Sequence, residues 1–320
     1  MKTQLKILFT SVGRRVELLQ AFRQAADDLK IELVIYGTDI SNTAPAMFFC
    51  DKQETICRIN DPNYIQSLIE ICRREKIDAL IPTIDTDLLL LSQNRDTFKE
   101  NGTVVLISAE DKVKICRDKR LTADYFIKCG LKSPVPIDDY RKYRAGYPAF
   151  IKPKDGSSSI NAYKVNNAEE LKVYSGIVGD YIIQPFVEGT EYTVDIFCGF
   201  MGNPIFITPR ERVAVRGGEV LKTRVEQNDI MIAECKRLIA DYKPCGAITV
   251  QLIHQKETGD NYYIEINPRY GGGAPLSIKA GADSAKACLK LLIGEDIGYQ
   301  NKAADDGATF SRFDQSIRVK

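Results

Sequence analysis

The chain has 320 residues, with 44 Lys and Arg against 43 Asp and Glu, a net charge of +1 and a single histidine, His254. That length exceeds one small domain and fits two or three, while the balanced charge argues against a global field for nucleic acid or a membrane surface. One histidine also argues against His-rich zinc sites and a Ser-His-Asp triad.

Nine cysteines lie scattered without a CxxC pair, which reads as reduced thiols in a cytoplasmic protein. Met1-Lys2-Thr3-Gln4 leads straight into a strand-like run with no long apolar leader, and no run reaches the length of a membrane span. A soluble, cytoplasmic protein is expected.

The first part of the chain alternates apolar strands with amphipathic helices: strand Leu5–Thr10, helix Arg15–Leu29, strand Glu32–Thr38, helix Pro62–Glu75, strand Ala79–Pro82, helix Asp87–Asn101 and strand Val104–Ile107. This βαβ rhythm predicts a parallel sheet covered on both faces. Thr10-Ser11-Val12-Gly13-Arg14-Arg15 sits where a nucleotide turn would, but it is not GxGxxG, and a strand-to-helix turn that caps the helix is the better reading. Lys112–Gly130 reads as two short helical pieces, and Pro134 and Pro136 open a linker running to Gly146.

Beyond the linker, Pro148–Lys152 is a predicted strand, Asp155-Gly156-Ser157-Ser158-Ser159 a flexible turn, Asn166–Tyr174 an Asn-capped helix and Tyr181–Pro185 a strand. From Glu191 the pattern turns antiparallel. Strands Glu191–Phe200 and Pro204–Thr208 precede a polar loop, Pro209–Gln227, and a helix over Asp229–Tyr242. Gly246–His254 and Tyr262–Ile266 make a hairpin around Thr258-Gly259-Asp260, and Gly271-Gly272-Gly273 opens a last helical segment.

Four segments carry candidate chemistry. In Glu265-Ile266-Asn267-Pro268-Arg269, period-2 geometry puts Glu265 and Asn267 on one face, ~6.6 Å apart. A hairpin centred on Thr258 sets Gln251 across from Glu265, with Cβ atoms ~5 Å apart. One carboxylate and two amides on one face suit Mg²⁺, a hard cation that shares oxygen ligands with phosphates, and Arg269 adds a permanent cation. A bulge shifting the register by one residue would turn Gln251 away.

Lys152, ending an apolar strand before a Gly/Ser loop, suits a phosphate tail; a surface lysine before an ordinary turn fits equally well. In Gln184-Pro185-Phe186-Val187-Glu188-Gly189-Thr190-Glu191, extended backbone can meet an adenine edge and Glu191 ribose hydroxyls, or the segment is a plain hinge. Asp118-Lys119-Arg120 precedes a helix; its basic residues reach a phosphate or simply solvate that helix. Arg210, Arg212, Arg216 and Arg224 in the polar loop either clamp a substrate carboxylate or belong to a mobile solvated loop. His254, on the strand face opposite Gln251, reads as structural.

Taken in chain order, Lys119, Lys152, the Gln184–Glu191 segment, Gln251 and Glu265–Arg269 resemble the ATP-grasp superfamily. The likeness is nearest to members similar to the carbamoyl-phosphate-synthase large subunit, a group that includes biotin carboxylase and small amino-acid ligases. It spans Leu5 to about Leu292. It implies an α/β and α+β fold: an ATP-grasp fold preceded by a Rossmann-like, parallel-sheet pre-ATP-grasp domain at residues 1–111. Residues 112–190 would form the N-terminal lobe with its helical linker and phosphate loop, and 191–320 the C-terminal lobe with the metal site and a short tail.

The resemblance also implies roles. Lys119 and Lys152 hold the ATP phosphates under the loop of Ser157 and Ser158, Gln184 and Val187 read adenine, and Glu191 takes the ribose. Gln251, Glu265 and Asn267 ligate Mg²⁺, with Mn²⁺ as the alternative. Arg269 stabilises the transferred phosphoryl group, and Arg269, Asn267 and Lys152 form the catalytic set. The implied reaction joins a small-molecule carboxylate to an amine through an acyl-phosphate, with no nucleic acid or membrane partner and with a homodimer admitted.

Three features depart from the family: a phosphate loop poorer in glycine, Pro185 with no N–H in the hinge, and a short segment after Leu292 where biotin carboxylases carry a C-terminal lobe. The competing readings are bicarbonate phosphorylation, a non-catalytic ATP-binding subunit, and a nicotinamide oxidoreductase. The last is disfavoured by the absent GxGxxG.

Overall fold

The computed structural model describes residues 3–155 and 160–319. The N-terminal part is a parallel sheet: β1 (Gln4–Thr10), helix α1 (Val16–Leu29), β2 (Glu32–Asp39), β3 (Lys52–Thr55), α2 (Tyr64–Glu75), β4 (Ala79–Pro82), α3 (Leu88–Gln93), α4 (Arg95–Glu100) and β5 (Val104–Val105). Strand order is β3-β2-β1-β4-β5. The apolar run of β1 buries both faces, as a doubly covered parallel strand must. Leu5, Ile7 and Phe9 pack with Leu18, Leu19 and Phe22 of α1, and Leu8 packs with Leu68 and Ile71 of α2 on the other side.

Two expectations are corrected here. The helix predicted over Asp87–Asn101 breaks at Asn94 into α3 and α4. Strand β3 was not foreseen, because Lys52-Gln53-Glu54-Thr55 is polar and sits at the sheet edge, where burial does not select apolar residues.

Helices α5 (Glu110–Arg117) and α6 (Lys119–Lys128) meet at Asp118, whose carboxylate accepts the Arg120 N–H at 2.8 Å and caps α6. A small antiparallel sheet follows: β6 (Ala149–Pro153), β7 (Tyr163–Val165), α7 (Ala168–Val178) and β8 (Tyr181–Pro185), in the order β7-β6-β8. Asn167 caps α7 by accepting the Glu170 N–H.

The larger antiparallel sheet comprises β9 (Thr190–Cys198), β10 (Pro204–Arg216), β11 (Glu219–Val225), β12 (Gly246–His254), β13 (Asn261–Asn267) and β14 (Thr309–Ser311), ordered β13-β12-β9-β10-β11-β14. Helices α8 (Asp229–Tyr242), α9 (Ala274–Lys279) and α10 (Ser284–Leu292) complete the chain. The core under α1 runs on through Tyr270, Ala285 and Leu289, so the N-terminal sheet and the end of the chain share one apolar interior.

The polar loop expected over 209–227 is instead the hairpin of β10 and β11. Its arginines are paired within the fold. Arg210 is 1% exposed; its Nε donates to Asp195 at 2.8 Å and to Ser277 at 3.0 Å, and its Nη1 to Thr223 at 3.1 Å. Arg212 pairs with Glu191, Arg224 with Glu211, and Arg216 with Asp314. Removing one partner of the buried pair strands the other charge. Arg210→Met is therefore expected to destabilise the protein by about 3–5 kcal/mol in urea unfolding, and a loss under about 1 kcal/mol would mean that the pair is dispensable.

Candidate functional site

The larger sheet has two unlike faces. Tyr192 and Val194 of β9, Val250 and Leu252 of β12, and Tyr263 and Ile266 of β13 pack against α6 and α8. On the other face the strand register aligns Glu191, Thr193 and Asp195 with Ile253, Gln251 and Thr249, and Gln251 in turn with Glu265. A bulge is present, but it lies between the Gln251–Glu265 and Leu252–Tyr263 pairs. It switches the alternation on β13, so Tyr263 and Ile266 both reach the helix-side core while Glu265 and Asn267 turn away from it. The bulge thus preserves the Gln251–Glu265 pairing.

Asn267 Nδ2 donates to Glu265 Oε1 at 2.8 Å, which locks the two side chains together. Their donor set with Gln251 is one carboxylate and two amide oxygens. Among the described residues there is no group of three or more His, Cys, Asp or Glu that could hold a metal. The set therefore fits a hard cation that completes its shell with phosphate oxygens and water, and not an all-protein cage or a thiophilic metal.

Two lysines converge on the same carboxylate from different elements. Lys152 on β6 is 7% exposed and lies over the Phe150 ring at 5.8 Å. Burial pulls its ammonium down to about 8, Glu265 opposes that shift, and Lys119 adds to it. Lys119, the first residue of α6, is likewise lowered by burial and held up by Glu265 and Asp155. The Lys119 N–H bonds to the Lys154 carbonyl at 3.1 Å, tying the start of α6 to the end of β6. Two cations, one at the start of α6 and one on β6, thus lie within electrostatic reach of one carboxylate on β13. Ser157 and Ser158, expected to cover phosphates there, lie outside the described residues.

The hinge residues run from the end of β8 to the start of β9. Gln184 is buried, and its amide donates to the Pro134 carbonyl at 2.5 Å. Its side chain thus anchors the linker, and only backbone near Gln184 and Val187 remains to meet a ligand edge. Gly189 passes so close to β12 that a Cβ would stand 2.3 Å from the His254 carbonyl. Glu191, with a side chain 58% exposed, bonds to Arg212 Nε at 3.2 Å. His254 Nδ1 donates to Asn261 Oδ1 at 2.8 Å, a structural contact across the hairpin.

Arg269 stands beyond Asn267 with its side chain 12% exposed. Nη2 donates to Asp85 and Nη1 to the Tyr270 carbonyl at 3.1 Å, while Nε is buried with no hydrogen-bond partner among the described residues. Asp85 lies in the turn after β4. Asp87, fully buried, pins that turn by accepting from Thr10 at 2.9 Å and Tyr64 at 3.0 Å, and burial raises its carboxyl to about 6.

The β1–α1 turn is equally fixed. Gly13 N–H donates to Asp39 and Thr83 Oγ1 to the Thr10 and Ser11 carbonyls, and no side chain among the described residues caps α1. Burial and the adjacent Arg269 push the Arg15 guanidinium below its ordinary value. Asp85 and Arg15 were not foreseen as site residues. Their signal was position: both follow the carboxyl ends of parallel strands, where open α/β sheets bind ligands.

Comparison with known proteins agrees with this architecture. Residues 7–106 match the family model of the PylC-like N-terminal domain, and residues 116–273 that of the ATP-grasp domain. The large chain of carbamoyl phosphate synthase from Rubrobacter xylanophilus is 23% identical over 96% of this chain and 32% of its own length. The N-terminal section of the Aquifex aeolicus large chain is 27% identical over 88% of this chain and 56% of its own. The chain therefore spans only about a third to just over half of these relatives.

Among solved structures, the biotin carboxylase domain of 2-oxoglutarate carboxylase from Hydrogenobacter thermophilus superposes with a TM-score of 0.76 at 17% identity, over 95% of this chain and 73% of that one. It was solved as a dimer with MgADP, ADP and bicarbonate. N5-carboxyaminoimidazole synthetase from Staphylococcus aureus superposes with a TM-score of 0.73 at 16% identity, over 93% of this chain and 79% of that one.

Proposed function

The chain belongs to the ATP-grasp superfamily, with an ATP-grasp domain behind a PylC-like N-terminal domain, and from that premise we propose that it is an ATP- and Mg²⁺-dependent, ADP-forming ligase. In this reading it activates a small-molecule carboxylate as an acyl-phosphate for attack by an amine. The observation that carries it is the convergence of Lys119 and Lys152 on Glu265, itself bonded to Asn267 and paired with Gln251. Such a group neutralises and aligns phosphates, which is most of what a protein contributes to direct phosphoryl transfer.

Mg²⁺, held by Gln251, Glu265 and Asn267, would supply charge neutralisation at the β- and γ-phosphates. Lys119 and Lys152 place positive charge on the phosphate tail. The backbone at Gln184–Val187 meets the adenine edge, and Glu191 accepts from the ribose. Arg269 faces the charge that builds on the transferred group, and Asp85 fixes its fork. Among the described residues no helix is long and apolar enough to cross a membrane, and the substrates are taken as small molecules. A homodimer is part of the proposal, after the dimeric carboxylase domain that resembles it.

The test is a screen of carboxylate and amine pairs for Mg²⁺-dependent ADP release. Stimulation by one pair supports the ligase. Stimulation by bicarbonate alone would replace it with the carboxyphosphate chemistry that the names of the relatives suggest. Tight Mg·ATP binding without turnover on any pair would leave a binding subunit.

Lys152 gives a second check. Its folded value, about 8, lies below the ordinary 10.5. Between those values the free folded protein holds it neutral while the unfolded chain holds it charged. Burial of the charged form costs stability below pH 8, and stability should rise as pH climbs through this window. ATP phosphates would restore the charge. Nucleotide binding at pH 9 should therefore take up close to one proton, read by calorimetry in buffers of different ionisation enthalpy, and Lys152→Met should abolish the uptake. Equal uptake in the variant would remove Lys152 from the phosphate site.

A further inference from the structure

Beside Arg269, outside the group of Glu265 and Lys152, a groove runs between the β1–α1 turn and the backbone of Gly271 and Gly272. Arg15 and Arg312 line it, the latter delivered by the segment after β14. The Arg15 side chain is 21% exposed, and its one ion-pair partner among the described residues is Glu219, at 3.6 Å from Nη1. That is too long for a hydrogen bond. The same Glu219 carboxylate lies 3.7 Å from Arg312 Nη1. Arg312 is better supported, since it also reaches Glu17 at 3.2 Å and the Val220 carbonyl at 3.3 Å.

A Cβ on Gly272 would fall 2.2 Å from Glu219 Oε2 and 2.7 Å from Arg15 Nη1. The carboxylate and the guanidinium therefore lie directly on bare backbone, at the floor of the groove. Arg15 carries a planar fork of N–H donors that makes no hydrogen bond among the described residues, and it does so next to two further arginines. Such a fork matches a carboxylate or phosphate in bidentate geometry.

The geometry points to an oxyanion subsite for the second substrate: Arg15, backed by Arg312, holds a carboxylate or phosphate of that molecule against Gly271-Gly272, and Glu219 is the group it displaces. The subsite deepens the ligase reading, which it needs only for the word substrate; the anion binding itself stands apart from ATP. An acidic co-substrate anchored here would project its reacting group toward Arg269. Glu219, at the start of β11, acts as a built-in competitor that shares its one charge between the two guanidinium groups while the groove is free.

The test is calorimetric titration of the full chain, without nucleotide, with malonate and with inorganic phosphate. Millimolar binding of at least one is expected. Arg15→Gln should weaken it about tenfold or more, the scale of a lost charge-assisted bidentate contact, and Arg312→Gln severalfold. Glu219→Gln should tighten it, the opposite of what a purely structural carboxylate would give. Lys152→Met should leave the malonate affinity unchanged. Tighter binding of malonate assigns a carboxylate co-substrate, and tighter binding of phosphate a phosphorylated one.

The proposal is overturned if neither anion binds, if Arg15→Gln makes no difference, or if Lys152→Met abolishes malonate binding, since the anion would then sit at the phosphate lysines. Thermal unfolding of each variant separates lost binding from lost fold. A wild-type protein that binds malonate through Arg15 but never binds Mg·ATP would sink the ligase reading and spare the subsite.

Discussion

Glu265→Gln is expected to lower Mg²⁺-dependent ATP turnover by about 10²–10³-fold, the scale of one removed electrostatic group in an active site, and to leave the fold intact. Glutamine keeps the shape and an oxygen that can still accept from Asn267 Nδ2, so the contact at 2.8 Å survives. What disappears is the negative charge that, among the described residues, acts on both Lys119 and Lys152. The metal would lose its anionic ligand, Lys152 would lose the carboxylate that supports its charged form, and Lys119 would lose the largest of several. The unfolding free energy in urea should stay within about 0.5 kcal/mol of the wild type, as for substitutions that leave packing alone. Wild-type turnover in this variant would remove Glu265 from the metal site.

Arg269→Met should cost more, about 10³-fold or beyond, the range for an arginine that stabilises a phosphoryl group in transit. The loss should fall on the chemical step, with ADP affinity changed only a few-fold. The reason lies in how the side chain is held: Asp85 and the Tyr270 carbonyl take its two terminal nitrogens, while Nε stays buried and unpaired among the described residues. A charge fixed so firmly is prepared for a partner that forms only during reaction. Asp85→Asn should lower turnover less, because it loosens the fork without removing it. Single-turnover phosphoryl transfer against ADP binding separates the cases. Equal losses in both for Arg269→Met would make the arginine a ground-state anchor.

Most of what could be read before the fold was known came from local periodicity. The Thr258-Gly259-Asp260 turn and the alternation around it placed Gln251 opposite Glu265, and the bulge, though real, lies beyond that pair. The βαβ rhythm gave the parallel sheet for the same reason. The arginine-bearing segment 209–227 misled because Arg210, Thr223 and Asp195 satisfy one another inside the protein. A strand whose buried side is polar shows no alternation to recognise. Asp85 and Arg15 carried only the signal of their place after parallel strands, because each comes near Arg269 through tertiary packing alone, across 184 residues in the case of Asp85. The joining of Lys119 at the start of α6 to the carbonyl of Lys154 is likewise a long-range backbone contact, which no local pattern encodes.

The central claim is that a nucleotide and its metal bind at Lys119, Lys152 and Glu265. Its most direct test is a crystal structure of the protein with Mn·ADP, using anomalous scattering to locate the metal. The account predicts a peak within coordination distance of Glu265, with Gln251 or Asn267 beside it, phosphates against Lys119 and Lys152, and adenine at the Gln184–Val187 backbone. A nucleotide lying over the β1–α1 turn of the N-terminal sheet, or a metal away from Glu265, would contradict it.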